Sequence, residues 1–123
     1  MRTAAFAVLA AAVPALAQPA SFTPVPDLPG GNFLSRGRAI SADGSTVVGM
    51  SSSGNGDEAF RWNRFLPDAE PLGDLPGGAF SSEAYAVSQD GSIVFGHATN
   101  AAGNFEAFRW TASGGMEGLG FLP

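Results

Sequence analysis

Short apolar stretches alternate with clusters of Gly, Pro, Asp and Ser along most of the chain, and this pattern predicts strands rather than helices. Residues 46–51 carry adjacent valines, as is typical of an inner strand that is covered on both faces. Phe60 and Trp62 lie two positions apart and therefore share one face of a third strand. The pattern predicts an all-β chain of short strands joined by tight turns.

Turn signals set the remaining strand limits. A strand around residues 38–41 leads into Asp43-Gly44, and Asp-Gly between apolar residues predicts a hairpin because Gly tolerates positive φ. Residues 70–75 are predicted as a short fourth strand, which Pro76 closes because proline cannot continue a central ladder. Four antiparallel strands in about 47 residues correspond in size to one β-propeller blade.

An internal repeat with a period of about 47 residues organises the chain. The matching segments are 27–31 and 74–78, 39–45 and 86–92, and 58–62 and 106–110. They predict two tandem β repeats, at about 25–71 and 72–118, with the start of a third at 119–123. Because a propeller uses about four to eight blades, two repeats form at most an incomplete one. Truncation of a longer product is the favoured interpretation, with assembly from several copies and a small open β structure as alternatives.

Segments 72–78, 86–91 and 106–110 resemble the HAF family of bacterial extracellular repeats, and the similarity covers nearly all of residues 22–123. The His-Ala-Phe triplet of that family is Glu-Ala-Phe here, with Glu58 and Glu106 at the histidine position. The resemblance implies an exported, propeller-like repeat protein with no established activity. It brings no functional residues with it.

The first 17 residues have the features of a secretory signal peptide. Arg2 precedes an apolar run at residues 4–13, and Ala15-Leu16-Ala17 supplies small residues at a cleavage site. The run is too short to cross a membrane, which requires roughly 20 apolar residues. Cleavage after Ala17 is expected to leave residues 18–123, without a membrane span, in the periplasm or the extracellular space.

Composition narrows the classes of partner. The chain has 11 acidic residues against six Arg and no Lys, so its negative charge excludes nucleic acid and anionic lipid as favoured partners. It has no Cys, which excludes disulfides and thiolate metal sites. The expected partner is therefore an unknown protein or glycan at the cell exterior, and self-association is possible.

His97, Asp43 and Asp90 are the first candidates for chemistry. The single histidine, His97, corresponds to Met50 in the first repeat, which favours a packing position over a catalytic or metal-binding one. Asp43 and Asp90 each precede Gly in a hairpin turn. Calcium binding or acid-base chemistry is conceivable for such carboxylates, but an Asp at this position caps its own turn, and that structural role is preferred.

Charged and aromatic positions that recur in both repeats are the second group of candidates: Arg61 and Arg109, Glu58 and Glu106, Trp62 and Trp110. Cross-strand or inter-repeat ion pairs are favoured over a recognition site, and core packing of the tryptophans over sugar stacking. No catalytic, cofactor-binding or metal-binding residue is predicted. The sequence favours a non-catalytic secreted repeat module that presents a surface to protein or glycan. The alternatives are a fragment of a carbohydrate-active propeller enzyme, in which the Arg and acidic residues converge on one funnel, or a truncated product without an independent role.

Overall fold

Eight β-strands account for the regular secondary structure of the computed structural model, which describes residues 3–5, 7–8 and 10–123. They are β1 (Gly30–Ile40), β2 (Thr46–Ser53), β3 (Asp57–Asn63), β4 (Glu70–Pro71), β5 (Gly77–Val87), β6 (Ile93–Asn100), β7 (Phe105–Thr111) and β8 (Gly115–Gly118). None of the described residues is helical. The predicted all-β class is confirmed.

The strands form two antiparallel sets that join in one open mixed sheet. β1 to β4 pair in chain order and form the N-terminal half, and β5 to β8 form the C-terminal half in the same way. The halves meet through a single parallel pair between β3 and β5, Asp57 opposite Ser81. With so little backbone pairing between them, the halves are held together mainly by side-chain packing.

Strand positions in the two halves follow the spacing of the sequence pattern. β5 and β6 begin 47 residues after β1 and β2, and β7 begins 48 residues after β3. We call residues at this spacing counterparts. β1 is longer than predicted, whereas β4 is shorter because Pro71 cannot donate to a ladder and Gly73 has a φ of 81°.

The predicted Asp-Gly hairpins are confirmed. The Ser41 backbone N–H donates to the Thr46 carbonyl at 2.8 Å, and Gly44 takes a φ of 71°. In the second hairpin Ser88 donates to Ile93 at 2.8 Å. Glycine at the turn allows this left-handed backbone without a steric penalty.

The larger of two apolar clusters draws on both halves. Its buried members are Val48, Ala59, Leu72, Leu75, Ala84, Val94, Ala98, Phe108 and Trp110. A smaller cluster of Leu28, Phe60 and Trp62 lies on the other side of the N-terminal half. The predicted core position of both tryptophans is confirmed. The core is therefore divided between an interface of the two halves and an outer face of the first.

Register shows which residues share each face, because directly opposed residues of antiparallel strands point the same way. Val48 of β2 lies opposite Arg61 of β3. Ala59 lies two positions before Arg61 and so shares its side of β3, and this is the face of the N-terminal half that packs on the C-terminal half. In the C-terminal half, Val94 lies opposite Trp110 on the face that packs back. The two halves thus present unlike faces to each other.

Coverage of both faces of the inner strands was expected, and it holds only for β2. Val48 is fully buried and Val47 packs against the smaller cluster. In β6, Val94 is buried but its neighbour Phe95 is 40% exposed. The expectation is wrong for β6 because, in the described part of the chain, no further strand packs on the side that Phe95 occupies.

The described residues that precede Val25 are exposed and form no strand. Arg2, which contributes to the signal-peptide prediction, lies outside the described residues. No helix in the described part of the chain is long and apolar enough to span a membrane.

Candidate functional site

A partly exposed group of aromatic and charged side chains covers the outer side of the C-terminal half. We call this surface the open face, and it consists of Tyr85, Phe95, His97, Phe105 and Arg109. Tyr85 is 44% exposed and Phe105 65% exposed. Register places Phe95 opposite Arg109 and puts His97 and Phe105 on the same side of β6 and β7. The open face is a contiguous aromatic surface on regular strands.

His97 is half-buried at the centre of the open face. Its ring centroid lies 5.2 Å from that of Tyr85 and 4.6 Å from that of Phe105, and both pairs are tilted. Tilted aromatic pairs at these distances are favourable. His97 therefore has the packing position that the sequence predicted, although on an exposed surface instead of in a core.

Glu83 links Tyr85, at the edge of the open face, to Arg38 of the N-terminal half. Tyr85 Oη donates to Glu83 Oε2 at 2.7 Å, and Arg38 Nε donates to Glu83 Oε1 at 2.6 Å. Burial acts to raise the pKa of Glu83, but the hydrogen bonds from Tyr85 and Arg38 outweigh it, so the pKa lies below the usual value. The same bond raises the pKa of Tyr85. These contacts hold Tyr85 in place.

Arg61 and Arg109 occupy corresponding positions with different surroundings. Arg61 pairs with Glu70 at 2.7 Å, stacks 4.8 Å from the ring centroid of Trp110 and donates to the Gly91 carbonyl at 3.2 Å. Arg109 has a looser pair with Glu117 at 3.9 Å and lies on the open face. Cross-strand ion pairing is confirmed for the two arginines, with Glu70 and Glu117 as partners; the expected pairing of Glu58 and Glu106 is wrong, because their carboxylates bind amide groups instead. The two arginines do not share a pocket, because the C-terminal half lies between them.

Glu58 and Glu106 bind backbone and amide groups. Glu58 is buried and accepts a hydrogen bond from the Gly73 N–H at 3.2 Å. Glu106 accepts from Asn100 Nδ2 at 3.0 Å and from the Gly120 N–H at 2.9 Å, and these two bonds lower its pKa. Each carboxylate thus binds a backbone N–H of the segment that follows the fourth strand of its own half.

The hairpin carboxylates Asp43 and Asp90 cap their turns. Asp43 Oδ1 accepts from Ser41 Oγ at 2.6 Å and from both the backbone N–H and the hydroxyl of Ser45. The bond from Ser41, followed by those from Ser45, lowers the pKa of Asp43 to about 2. Asp90 also has a pKa of about 2, owing first to its bonds from Ser92 and then to that from Ser88. The predicted capping role is confirmed.

Both turn carboxylates line one shallow groove of about 560 Å³ at the end of the two hairpins. In each, Oδ1 is occupied by the turn. The described residues contain no group of three or more His, Cys, Asp or Glu side chains arranged to hold a metal ion. The groove is therefore the space between two adjacent turns, and its carboxylates serve those turns.

Acid should weaken both turns. Because the pKa values of Asp43 and Asp90 are about 2 in the folded chain, below the usual 3.8, their contribution to stability is present above pH 4. It is lost as the pH falls from about 4 towards 2. We expect the melting temperature to fall across this range and the fall to be smaller in the D43N/D90N double variant. Melts recorded by circular dichroism at several pH values test this, with D68N in an exposed turn as the control. An equal fall in wild type and double variant would contradict it.

The sequence did not identify most of the open face. Tyr85, Phe95 and Phe105 replace Arg38, Val48 and Asp57 of the first copy of the pattern. The available signal was that, at these three positions, the second copy of the pattern has aromatic residues where the first copy has none. It could not be interpreted from the sequence, since nothing in the pattern shows which face of a strand remains uncovered.

Fold and site together define an all-β protein, built on one open mixed sheet, with an aromatic face on its second half. Comparison with protein families finds no matching family model, and comparison with curated proteins and with solved structures finds no match.

Proposed function

We propose that this chain is a non-catalytic, exported module of two β repeats that presents the open face to a protein or glycan at the cell exterior. The observation that carries the proposal is the exposure of Phe95 and Phe105 on a regular sheet beside the half-buried His97, where the first half has the buried Val48 and Met50 as counterparts of Phe95 and His97. Exposed aromatic side chains grouped on a rigid surface are typical of binding sites.

The strand spacing supports a repeat of blade-like units, as the resemblance to HAF repeats implies. Each half is an antiparallel sheet of four strands, and a face of the first half packs on a face of the second. Neighbouring blades of a propeller pack in the same general way. The signal-like residues 1–17 support export to the periplasm or beyond.

The arrangement of the recurring arginines favours a binding module over an enzyme fragment. An enzyme of the propeller type requires arginines and acids to converge at one mouth. Arg61 is instead engaged by Trp110 and Glu70 between the halves, and Arg109 lies on the open face beside Glu117. Arg61 and Arg109 each pair with an acid of their own half.

Binding through the open face should depend on Phe105. We expect Phe105→Ser to weaken retention of a bound polysaccharide or protein by about tenfold or more, because it removes an exposed ring that packs on His97. The measurement is affinity electrophoresis against a panel of cell-wall polysaccharides, with biolayer interferometry against immobilised proteins, including the chain itself.

Phe121→Ser is the matched control, because Phe121 has nearly the same exposure and lies beyond β8. It should leave retention unchanged. Equal retention of wild type and Phe105→Ser, or no retention on either class of ligand, would refute a role for the open face.

A further inference from the structure

The open face has a buried equivalent within the same chain. Phe95 and His97 are the counterparts of the buried Val48 and Met50. Val48 belongs to the cluster that both halves share, and Met50 lies on the same face, opposite Ala59 of that cluster. Arg109 is the counterpart of Arg61, which stacks on Trp110 and donates to the Gly91 carbonyl across that same junction. The contacts of Val48, Met50 and Arg61 within the chain therefore show how the corresponding face of the first half is covered.

The surface that covers it in the C-terminal half has a counterpart in the first half, of which Ile40 is exposed while Trp62 is 6% exposed within the smaller cluster. Val87 packs against the larger cluster, whereas its counterpart Ile40 is 61% exposed. A side chain at Gly91 would overlap Thr46 of the first half, whereas its counterpart Gly44 has no atom within 4 Å of such a side chain. We call Ile40, Gly44 and Trp62 the receiving edge.

The receiving edge borders a groove of about 500 Å³ on the N-terminal half. Trp62, the counterpart of Trp110, lines this groove together with Ile40 and Gly44. The other wall includes Gln18 and Ser21, from a segment that is exposed and unpaired. The segment forms no strand, and a docking sheet has to displace it from beside Trp62.

We propose that the open face of one chain docks on the receiving edge of a second copy of the same chain, repeating the junction between the two halves. This rests on the proposed function, since it names a partner for the open face. Arg109 takes the place of Arg61, stacking on Trp62 of the second copy and donating to its Gly44 carbonyl. Phe95 takes the place of Val48 and covers the apolar surface beside Ile40.

The two surfaces are different, so the association is head to tail. An interface between unlike surfaces leaves one of each free at the ends, and it produces a ring if the rotation closes and an open chain if it does not. A ring of two to four chains would contain about four to eight four-stranded sheets, the range found in β-propellers.

Complementary variants test the proposal in the complete chain. Phe95→Asp disables the open face and Ile40→Asp disables the receiving edge, and both positions are substantially exposed, so folding should be retained. Wild type should form assemblies of two or more chains at about 100 µM, while each variant alone should be monomeric. An equimolar mixture of the variants should form a dimer of one copy of each, because one intact pair of surfaces remains.

Light scattering coupled to size exclusion measures these masses, and circular dichroism verifies that every variant is folded. Ser113→Asp, in the exposed turn after β7, places the same carboxylate away from both surfaces and should assemble as wild type does. A monomeric wild type, association of either variant alone, or absence of the mixed dimer would each overturn the proposal. If the chain is monomeric but Phe105-dependent binding to a polysaccharide or foreign protein persists, only this inference fails. If that binding is also absent, the proposed function fails with it.

Discussion

Replacement of Trp110 by Ala should lower the free energy of unfolding by about 3 to 5 kcal/mol, the usual cost of removing a large aromatic side chain from a core. Trp110 is buried in the cluster that both halves share, and it also carries the stacked guanidinium of Arg61. Because the halves share one parallel backbone pair, loss of this packing should weaken their junction as well as the second half. Urea denaturation followed by circular dichroism measures the change.

Two comparisons make this result specific. Trp62→Ala should cost less, since the cluster around Trp62 has only Leu28 and Phe60 as further buried members. Phe105→Ala removes an exposed ring and should change the unfolding free energy by under about 1 kcal/mol. Equal losses for Trp110→Ala and Phe105→Ala would show that Trp110 is not part of a common core.

Gly96→Ala should be the second severe substitution, with a loss of about 3 kcal/mol from overpacking in a closely packed interior. A Cβ at this position would overlap the Glu83 carbonyl oxygen on β5 and lie 2.8 Å from two ring carbons of Phe108. The backbone on one side and a fully buried ring on the other leave no room for relaxation. The unfolding midpoint in urea is the measurement.

Gly54→Ala is the control for Gly96→Ala. A Cβ at Gly54, in the turn between β2 and β3, would lie 3.8 Å from its nearest neighbour, so the variant should be close to wild type. Gly49, the counterpart of Gly96, would overlap the Arg36 carbonyl oxygen in the same way and should behave similarly to Gly96. A Gly96→Ala protein with an unchanged midpoint would contradict the close approach of β5 and β6.

Much of the architecture was predictable because the signals act over short distances along the chain. Asp-Gly marked both hairpins, since the carboxylate and the glycine satisfy the turn by themselves. The i, i+2 spacing of Phe108 and Trp110 placed both rings on one face of β7, whatever the strand packs against. Strand limits were less accurate, as the short β4 shows, because pairing partners decide where a ladder stops.

The candidate site was predictable only in part. His97 was correctly interpreted as a packing position and Asp43 as a turn cap, since each interpretation depended on local chemistry. The cross-strand pair of Arg61 with Glu70 agreed in type with the expectation. Tyr85 and Phe105 were not identified as site residues. The repeat pattern predicts the same role for corresponding positions, and their counterparts Arg38 and Asp57 are not aromatic.

The sequence by itself determined the strand class, the hairpins and the side of each strand that carries the large aromatic side chains, because turn chemistry and side-chain alternation operate within a few residues. Only the tertiary structure decided which of those sides is covered. Val48 and Phe95 occupy the same place in the pattern, yet one is fully buried and the other is exposed. Their difference arises because the C-terminal half packs on the face of β2 that carries Val48, while none of the described residues covers the face of β6 that carries Phe95 to the same extent. Burial therefore depends on what lies across a face.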